Sequence, residues 1–103
     1  MIKVTVVHES KEGKKFDLDY YLNQHIPQVR QKLGSACKRV DVNQGLGGGQ
    51  PGTKPPFIVM THLHFDSLET LQAAFAPIAA WLAEDRANYT NEPPLVQISE
   101  VKL

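Results

Sequence analysis

The sequence has no excess of either charge and almost no cysteine. Its 103 residues carry 11 Lys and Arg against 11 Asp and Glu, so the formal net charge is zero. Nucleic acids and anionic membrane surfaces are bound largely through basic residues, so this balance disfavours both classes of partner. The single cysteine, Cys37, excludes an intrachain disulfide and a Cys-rich zinc module, and it fits a reducing compartment.

The sequence also lacks a long apolar run. No stretch approaches the ~20 apolar residues of a transmembrane helix. The N-terminal run is interrupted by Lys3 and has no small-residue cleavage site, so it does not resemble a signal peptide. We therefore expect a cytoplasmic protein. The composition, 42% hydrophobic and 21% charged, is typical of globular proteins, and the length suits one domain over residues 1–103.

Alternating apolar residues predict four strands, over residues 2–8, 38–44, 57–65 and 95–101, the second of them at a sheet edge. Helical patterns separate the first strand from the second and the third from the fourth, so the element order is βαββαβ. Two right-handed split βαβ crossovers then give an α+β, ferredoxin-like fold. This fold is a four-stranded antiparallel sheet with two helices on one face.

The first helix is predicted from an N-cap at Asp17 to a C-cap at Gly34. Pro27 cannot donate to the carbonyl of Asn23, so we expect an irregularity beside His25. Helical spacing places one stripe of this helix against the sheet, formed by Leu18, Leu22, His25, Val29 and Leu33.

The second helix is predicted to begin with a capping box of Asp66 and Glu69 and to bend at Pro77. Its apolar positions are Leu68, Leu71, Phe75, Ile78 and Leu82.

Both faces of the predicted strands carry apolar residues. In the first strand Val4 and Val6 alternate with the opposite-facing Val7. A sheet that is apolar on both faces needs cover on both, and the chain has only two helices. The sequence therefore predicts a homodimer, packed sheet against sheet, with polar contacts from Thr5, His62, Gln97 and Ser99.

Residues 45–56 hold five of the seven glycines and three of the seven prolines. Gly47 to Gly52 match the G-x-G-x-x-G spacing, but a dinucleotide-binding fold would continue into a helix, and here an apolar strand follows. The pattern favours a mobile hairpin loop that covers a cavity or reaches toward the partner copy.

Three further side chains have competing interpretations. His62 and His64 share a strand face as two metal ligands would, but no third ligand follows from the spacing, so an interfacial polar patch is favoured and no metal is predicted. Cys37 has no identifiable base nearby, which favours a small buried residue over a nucleophile.

His25 interrupts an apolar stripe beside the predicted irregularity. One interpretation is a buried histidine satisfied by a backbone carbonyl. The other is a proton-transfer group that faces a pocket, with Tyr21 one turn earlier within reach. Burial disfavours the imidazolium, so we expect a neutral base at pH 7.

The segment from Phe16 to Tyr21, FDLDYY, followed by His25-Ile26-Pro27, resembles the N-terminal signature of the EthD family. Two later segments, Asn88 to Asn91 and Gln97 to Glu100, are similar to its C-terminal portion. The resemblance covers nearly the whole chain. It implies a dimeric α/β barrel, in agreement with the two-sided sheet.

The resemblance further implies bacterial small-molecule catabolism, since the family's namesake is associated with breakdown of ethyl tert-butyl ether. Some members carry an oxidoreductase label, but no nicotinamide, flavin or haem motif is present, and we predict no cofactor. His25 is assigned to catalysis with Tyr21 assisting. Candidate ligand-binding residues are Phe16, Tyr20 and Asn91 from the resemblance, and the aromatic Trp81 and Tyr89 from their position near the end of the second helix.

Two classes of function remain open at this point. The first is an isomerase, dehydratase or oxidoreductase-associated protein, with His25 as acid and base toward a small apolar or aromatic oxygenated compound in a barrel cavity. The alternative is a non-catalytic dimer that binds a small ligand or accompanies an oxygenase system.

Overall fold

The computed structural model describes residues 1–103, and its four strands form one antiparallel sheet. The strands lie in the order β2-β3-β1-β4, so β2 is an edge strand as predicted. This arrangement confirms the ferredoxin-like topology. The strand bounds are Ile2–Glu9 for β1, Arg39–Gln44 for β2, Phe57–Phe65 for β3 and Leu95–Glu100 for β4.

The first helical segment consists of α1 (Leu18–Tyr20), a π-helical turn (Tyr21–His25) and α2 (Ile26–Leu33). The side chain of Asp17 accepts a hydrogen bond from the Tyr20 N–H at 3.0 Å, and Gly34 ends α2 with a positive φ of 61°. Both predicted caps are therefore confirmed, and the positive φ explains why the C-cap is a glycine.

The π turn is the irregularity expected beside Pro27. The Ile26 N–H donates to the carbonyl of Tyr21, five residues earlier, and so closes a wider turn. The wider turn rotates the preceding residues about the helix axis. Tyr21 is consequently 2% exposed and Leu22 is 42% exposed. The placement of Leu22 in the buried stripe was wrong, and Tyr21 takes its place.

The second helical segment comprises α3 (Leu68–Phe75) and α4 (Ala79–Asp85), joined by a 3₁₀ turn that contains Pro77. The predicted break at Pro77 is confirmed. A second 3₁₀ turn, Arg86–Asn88, follows α4. None of the helices has the length and apolar content to cross a bilayer.

The start of α3 differs from the prediction. Ser67 is the N-cap, and its hydroxyl accepts from the Thr70 N–H at 3.1 Å. The capping box at Asp66 was wrong by one residue. Leu68, predicted to be apolar core, is 46% exposed because it is the first residue of the helix.

The helices cover only part of one sheet face. They pack on β1 and β3 over a buried core of Val4, Val29, Leu33, Leu63, Phe65, Leu71 and Ile78. Val96 and Ile98 of β4 pair with β1 and point to the same face, yet they are 61% and 51% exposed. The helical layer therefore leaves an opening along β4.

The opposite sheet face is mixed in polarity. The strand register aligns Met60, Val7 and Leu95 in an apolar row across three strands. The adjacent row is polar and consists of Asp41, His62, Thr5 and Gln97. This is the face on which the sequence predicts a second copy.

Residues 45–56 join β2 to β3. Gly48 N–H donates to the Thr53 carbonyl at 3.1 Å, and Leu46 is 94% exposed. The mobility of the loop stays a prediction.

Candidate active site

His25, the last residue of the π turn, is buried between the helices and the sheet. Its Nδ1 lies 2.7 Å from Oδ2 of Asp85 in α4, and the two side chains are 6% and 8% exposed. Because a carboxylate only accepts hydrogen bonds, the proton sits on Nδ1 and Nε2 keeps its lone pair. Nε2 is therefore the atom of this pair that can take a proton.

Asp85 is held by two further donors. The hydroxyl of Tyr20 donates to Oδ1 at 2.7 Å, and the Asn88 amide donates to the same oxygen at 3.0 Å. The carboxylate thus has three donors and is fixed in orientation. Sequence reasoning did not identify Asp85. The available signal was its position, one helical turn after Trp81 and one before Tyr89.

Aromatic rings surround the His25 imidazole. Trp81 stacks on it at 5.4 Å between ring centroids, and Tyr21 stacks on it at 5.3 Å. Tyr89 lies 4.5 Å away, with its hydroxyl 3.5 Å from Nε2. A contact of this length engages the Nε2 lone pair only weakly. The rings restrict rotation of the imidazole and leave it 6% exposed.

The environment sets the charges of the pair. Burial lowers the pKa of His25, and the hydrogen bond and charge of Asp85 oppose this without reversing it. Burial alone would raise the pKa of Asp85, but hydrogen bonds from His25, Tyr20 and Asn88 hold it below its ordinary value. At neutral pH the site is therefore a neutral imidazole beside an ionised carboxylate. Burial raises the pKa of Tyr21 to about 12, so its hydroxyl stays protonated.

A cavity of about 430 Å³ lies beside His25. It lies between the sheet and the helices, on the opposite side of the sheet from the face where the second copy is predicted. The cavity is thus formed within one chain and not between two sheets. Val96 and Ile98 line its open side, and most of its other walls are apolar, including Val6, Ile26, Leu63 and Phe75.

The predicted site residues divide into two groups. His25, Tyr21 and Tyr89 line the cavity. Tyr20 and Trp81 support the pair from behind, through Asp85 and through stacking on His25. The Tyr21 hydroxyl hydrogen-bonds to the Thr61 hydroxyl and not to His25.

Phe16 and Asn91 do not reach His25. Phe16 packs edge-on against His8 at 4.8 Å between ring centroids. The Asn91 amide bonds the backbone of Gly13 and Lys15, which fastens the loop before α1 to the segment before β4. Both residues line a shallower outer concavity.

The remaining candidates lie outside the cavity. His62 Nδ1 is 3.1 Å from the Thr5 hydroxyl on the open sheet face. The Cys37 thiol donates weakly to the Arg39 carbonyl at 3.5 Å. His, Cys, Asp and Glu side chains form no group of three or more that could hold a metal ion.

Together the fold and the site define a class: an α+β protein of ferredoxin-like topology, with a buried His–Asp pair beside an apolar cavity. Residues 12–93 match the EthD domain. The chain belongs to the EthD family.

One solved structure agrees with this assignment, and two more distant ones share the fold. An EthD-like protein from Ralstonia eutropha is 42% identical, with a TM-score of 0.93 over 99% of this chain and 92% of that one. An ethyl tert-butyl ether D (EthD) family protein from Bacillus halodurans is 21% identical, with a TM-score of 0.75 over 99% of both chains. A dimeric protein of ferredoxin-like fold from Bacteroides fragilis is 14% identical, with a TM-score of 0.59 over 97% and 95% of the chains. The search of curated proteins found no match.

Proposed function

We propose that this protein binds a small apolar or aromatic oxygenated compound in the cavity and moves a proton on it with His25. The supporting observation is the 2.7 Å contact between His25 Nδ1 and Asp85 beside an apolar cavity that His25 itself lines. A neutral, oriented imidazole beside an apolar pocket is a suitable general base. The name of the Bacillus halodurans protein mentions ethyl tert-butyl ether, a small and largely apolar oxygenated compound that fits a pocket of this polarity.

The chemistry requires only the residues of the pair. His25 Nε2 takes a proton from an acidic C–H or O–H bond, and the electron pair of that bond stays on the substrate. The imidazolium that forms is stabilised by Asp85 through Nδ1–H. Return of the proton to a second atom of the substrate completes an isomerisation or enolisation, and its delivery to a departing hydroxyl completes a dehydration.

The test uses a small aromatic ketone, acetophenone, in heavy water. We expect the protein to accelerate exchange of the methyl protons for deuterium, followed by proton NMR. His25→Gln keeps much of the side-chain volume but transfers no proton, so the acceleration is expected to fall by about 10²-fold or more. His62→Gln, a histidine on the other sheet face, is the matched control.

Two outcomes contradict the proposal. If His25→Gln exchanges protons as fast as the unaltered protein, His25 is not the base. If acetophenone binds but its protons never exchange faster than in buffer, the alternative of a ligand-binding or oxygenase-accessory protein is favoured.

We also propose that residues 1–103 form one domain and that two copies pair through the open sheet face. The apolar row of Met60, Val7 and Leu95 supports this, as does the dimeric Bacteroides fragilis protein of the same fold. We expect light scattering at micromolar concentration to give twice 11.5 kDa. Val7→Asp places a charge in the row and is expected to give monomers, whereas Leu22→Asp on the helices leaves the mass unchanged. A monomeric unaltered protein would contradict the dimer.

A further inference from the structure

Arg86 lies where two concavities meet. It is the first residue of the 3₁₀ turn after α4 and follows Asp85 in sequence. It lines both the cavity beside His25 and the outer concavity of about 670 Å³. Tyr89 lines both as well. Arg86 and Tyr89 therefore mark the boundary between an apolar inner space and a polar outer one.

The Arg86 guanidinium has no partner in the chain. Neither the four Lys or Arg ion pairs nor the His25–Asp85 contact includes it, and its side chain makes no hydrogen bond. The nearest carboxylate in sequence, Asp85, is already engaged by His25, Tyr20 and Asn88. A guanidinium presents five N–H donors and stays charged at any working pH. These donors are available to a ligand.

The inner cavity has one permanent charge, and it is positive. Arg86 is the only Lys or Arg among the lining residues, and no Asp or Glu lines the cavity. An anion in an apolar space is strongly destabilised unless a cation compensates it. The same low polarity strengthens the attraction between an anion and Arg86. The charge among the lining residues therefore favours a ligand with one negative charge at Arg86, while the ionised Asp85 lies behind His25 and outside the lining.

We infer that Arg86 binds a negatively charged oxygen of the ligand while the apolar body of that ligand fills the cavity beside His25. The ligand class is thus an apolar or aromatic compound with an acidic oxygen. This inference rests on the proposed function and deepens it, because proton removal by His25 leaves a negative charge on the substrate. Pairing of that charge with Arg86 favours the deprotonated form.

Tyr89 supports this placement independently. Its hydroxyl lies 3.5 Å from His25 Nε2, and its side chain borders both concavities. Burial raises the pKa of Tyr89, and the positive charge of Arg86 opposes this rise while the negative charge of Asp85 adds to it. A ligand oxygen that reaches Arg86 from the inner cavity lies in the same cavity as the base.

Three probes of similar size test the inference: 4-nitrophenolate, 4-nitrobenzoate and uncharged nitrobenzene. Binding is measured by calorimetry for the unaltered protein and for Arg86→Gln. We expect the variant to bind at least one anion about tenfold more weakly, and nitrobenzene within about twofold of the unaltered protein. Arg86→Lys retains the charge and is expected to lose less. Lys15→Gln, which removes a cation that lines only the outer concavity, is the matched control.

Comparison of the two anions shows which kind of acidic oxygen carries the negative charge of the ligand. A larger loss for 4-nitrophenolate indicates an oxygen that ionises within the cavity, and a larger loss for 4-nitrobenzoate indicates a permanent carboxylate at the boundary. Unchanged affinity of Arg86→Gln for both anions would overturn the inference. If the unaltered protein binds nitrobenzene but neither anion, the inference about Arg86 is wrong and the proposed function is not affected. If the unaltered protein binds none of the three probes, the proposed function is wrong too.

Discussion

Two buried histidines lie on the same side of the sheet, and only one of them has a hydrogen-bond partner. His25 donates to Asp85 at 2.7 Å and borders the cavity. His8, in β1, is 0% exposed, and neither of its ring nitrogens has a partner. The rings of Phe16, Tyr21 and Tyr89 lie edge-on to it. The two imidazoles are therefore both buried but differ in their surroundings: His25 has a carboxylate partner, and His8 has aromatic neighbours but no hydrogen-bond partner.

The comparison of His8 with His25 shows that a buried, neutral histidine is not for that reason a reactive base. Burial, then the positive charge of Lys14, lowers the pKa of His8 to about 4, so it is neutral throughout the physiological range. It does not line the cavity, and aromatic rings separate it from any ligand there. His25 is also neutral, but Asp85 can stabilise its protonated form. A neutral histidine acts as a base only when a substrate can reach it, and a carboxylate at its other ring nitrogen stabilises the imidazolium that forms.

The largest expected effect comes from removing the carboxylate that distinguishes His25. Asp85→Asn retains the shape and a hydrogen-bond acceptor but removes the charge that stabilises the imidazolium. We expect the rate of acetophenone proton exchange to fall by about 10²-fold at pH 7, the lower end of what acid–base catalysis contributes.

The control for Asp85→Asn is Asp41→Asn on the open sheet face, which is expected to leave the rate unchanged. Circular dichroism establishes that the variants remain folded. An Asp85→Asn protein that exchanges protons at the unaltered rate would show that His25 needs no partner. The carboxylate would then not be the feature that distinguishes His25 from His8 as a base.

A second prediction concerns His8 and acid stability. Its pKa is about 4 in the folded protein against 6.5 when exposed, so the unfolded chain binds more protons between these values. The contribution of His8 to the free energy of unfolding is therefore fully present above pH 6.5. It falls by about 3 kcal/mol as the pH drops toward 4. His8→Phe removes this loss. We expect the difference in free energy of unfolding between pH 7 and pH 4 to shrink by about that amount.

Urea unfolding at fixed protein concentration measures both values. Any overpacking by the larger phenyl ring affects both pH values alike, so the difference between them isolates the titration. His25→Gln is the comparison, and we expect a smaller change because Asp85 opposes the lowering of the His25 pKa. An unchanged pH dependence in His8→Phe would show that His8 is not buried as described.

The sequence predicted the fold well because local signals and topology agreed. Alternation defined all four strands to within a residue or two, and Asp17, Gly34 and Pro77 marked helix boundaries that the structure confirms. His25 was identified because a titratable residue interrupted an apolar stripe. Each of these signals depends on neighbours in sequence, which a single chain displays directly.

The rest of the site depended on contacts between distant residues. Asp85 joins His25 across 60 positions, and its helical spacing from Trp81 and Tyr89 does not show that it pairs with His25. Leu22 was misplaced because the π turn changes helical phase, and a standard helical period cannot represent that. The cavity itself exists because the helices leave β4 uncovered, which depends on packing.

The smallest expected effect concerns the π turn that carries His25, a helical feature that His8 on strand β1 does not share. Pro27→Ala supplies an N–H that can donate to the Asn23 carbonyl, which favours an ordinary α-helical turn. That turn would rotate His25 away from Asp85 and lengthen their 2.7 Å contact. We expect the proton-exchange rate to fall by about tenfold, within the contribution of an oriented base, while the acid stability due to His8 is unchanged.

Nitrogen NMR of the His25 imidazole provides the structural readout for Pro27→Ala, because loss of the hydrogen bond to Asp85 shifts the Nδ1 resonance. Gln28→Ala, one residue further along the same helix, is the matched control and is expected to retain both the rate and the resonance. A Pro27→Ala protein with the unaltered rate and Nδ1 resonance would show that Pro27 does not cause the π turn.

The buried contact between the hydroxyls of Tyr21 and Thr61 would then be the stronger constraint on the π turn, because a buried hydroxyl that loses its partner destabilises the fold. In that case Thr61→Val becomes the variant that moves His25, and the position of the base is fixed by the sheet and not by the helix.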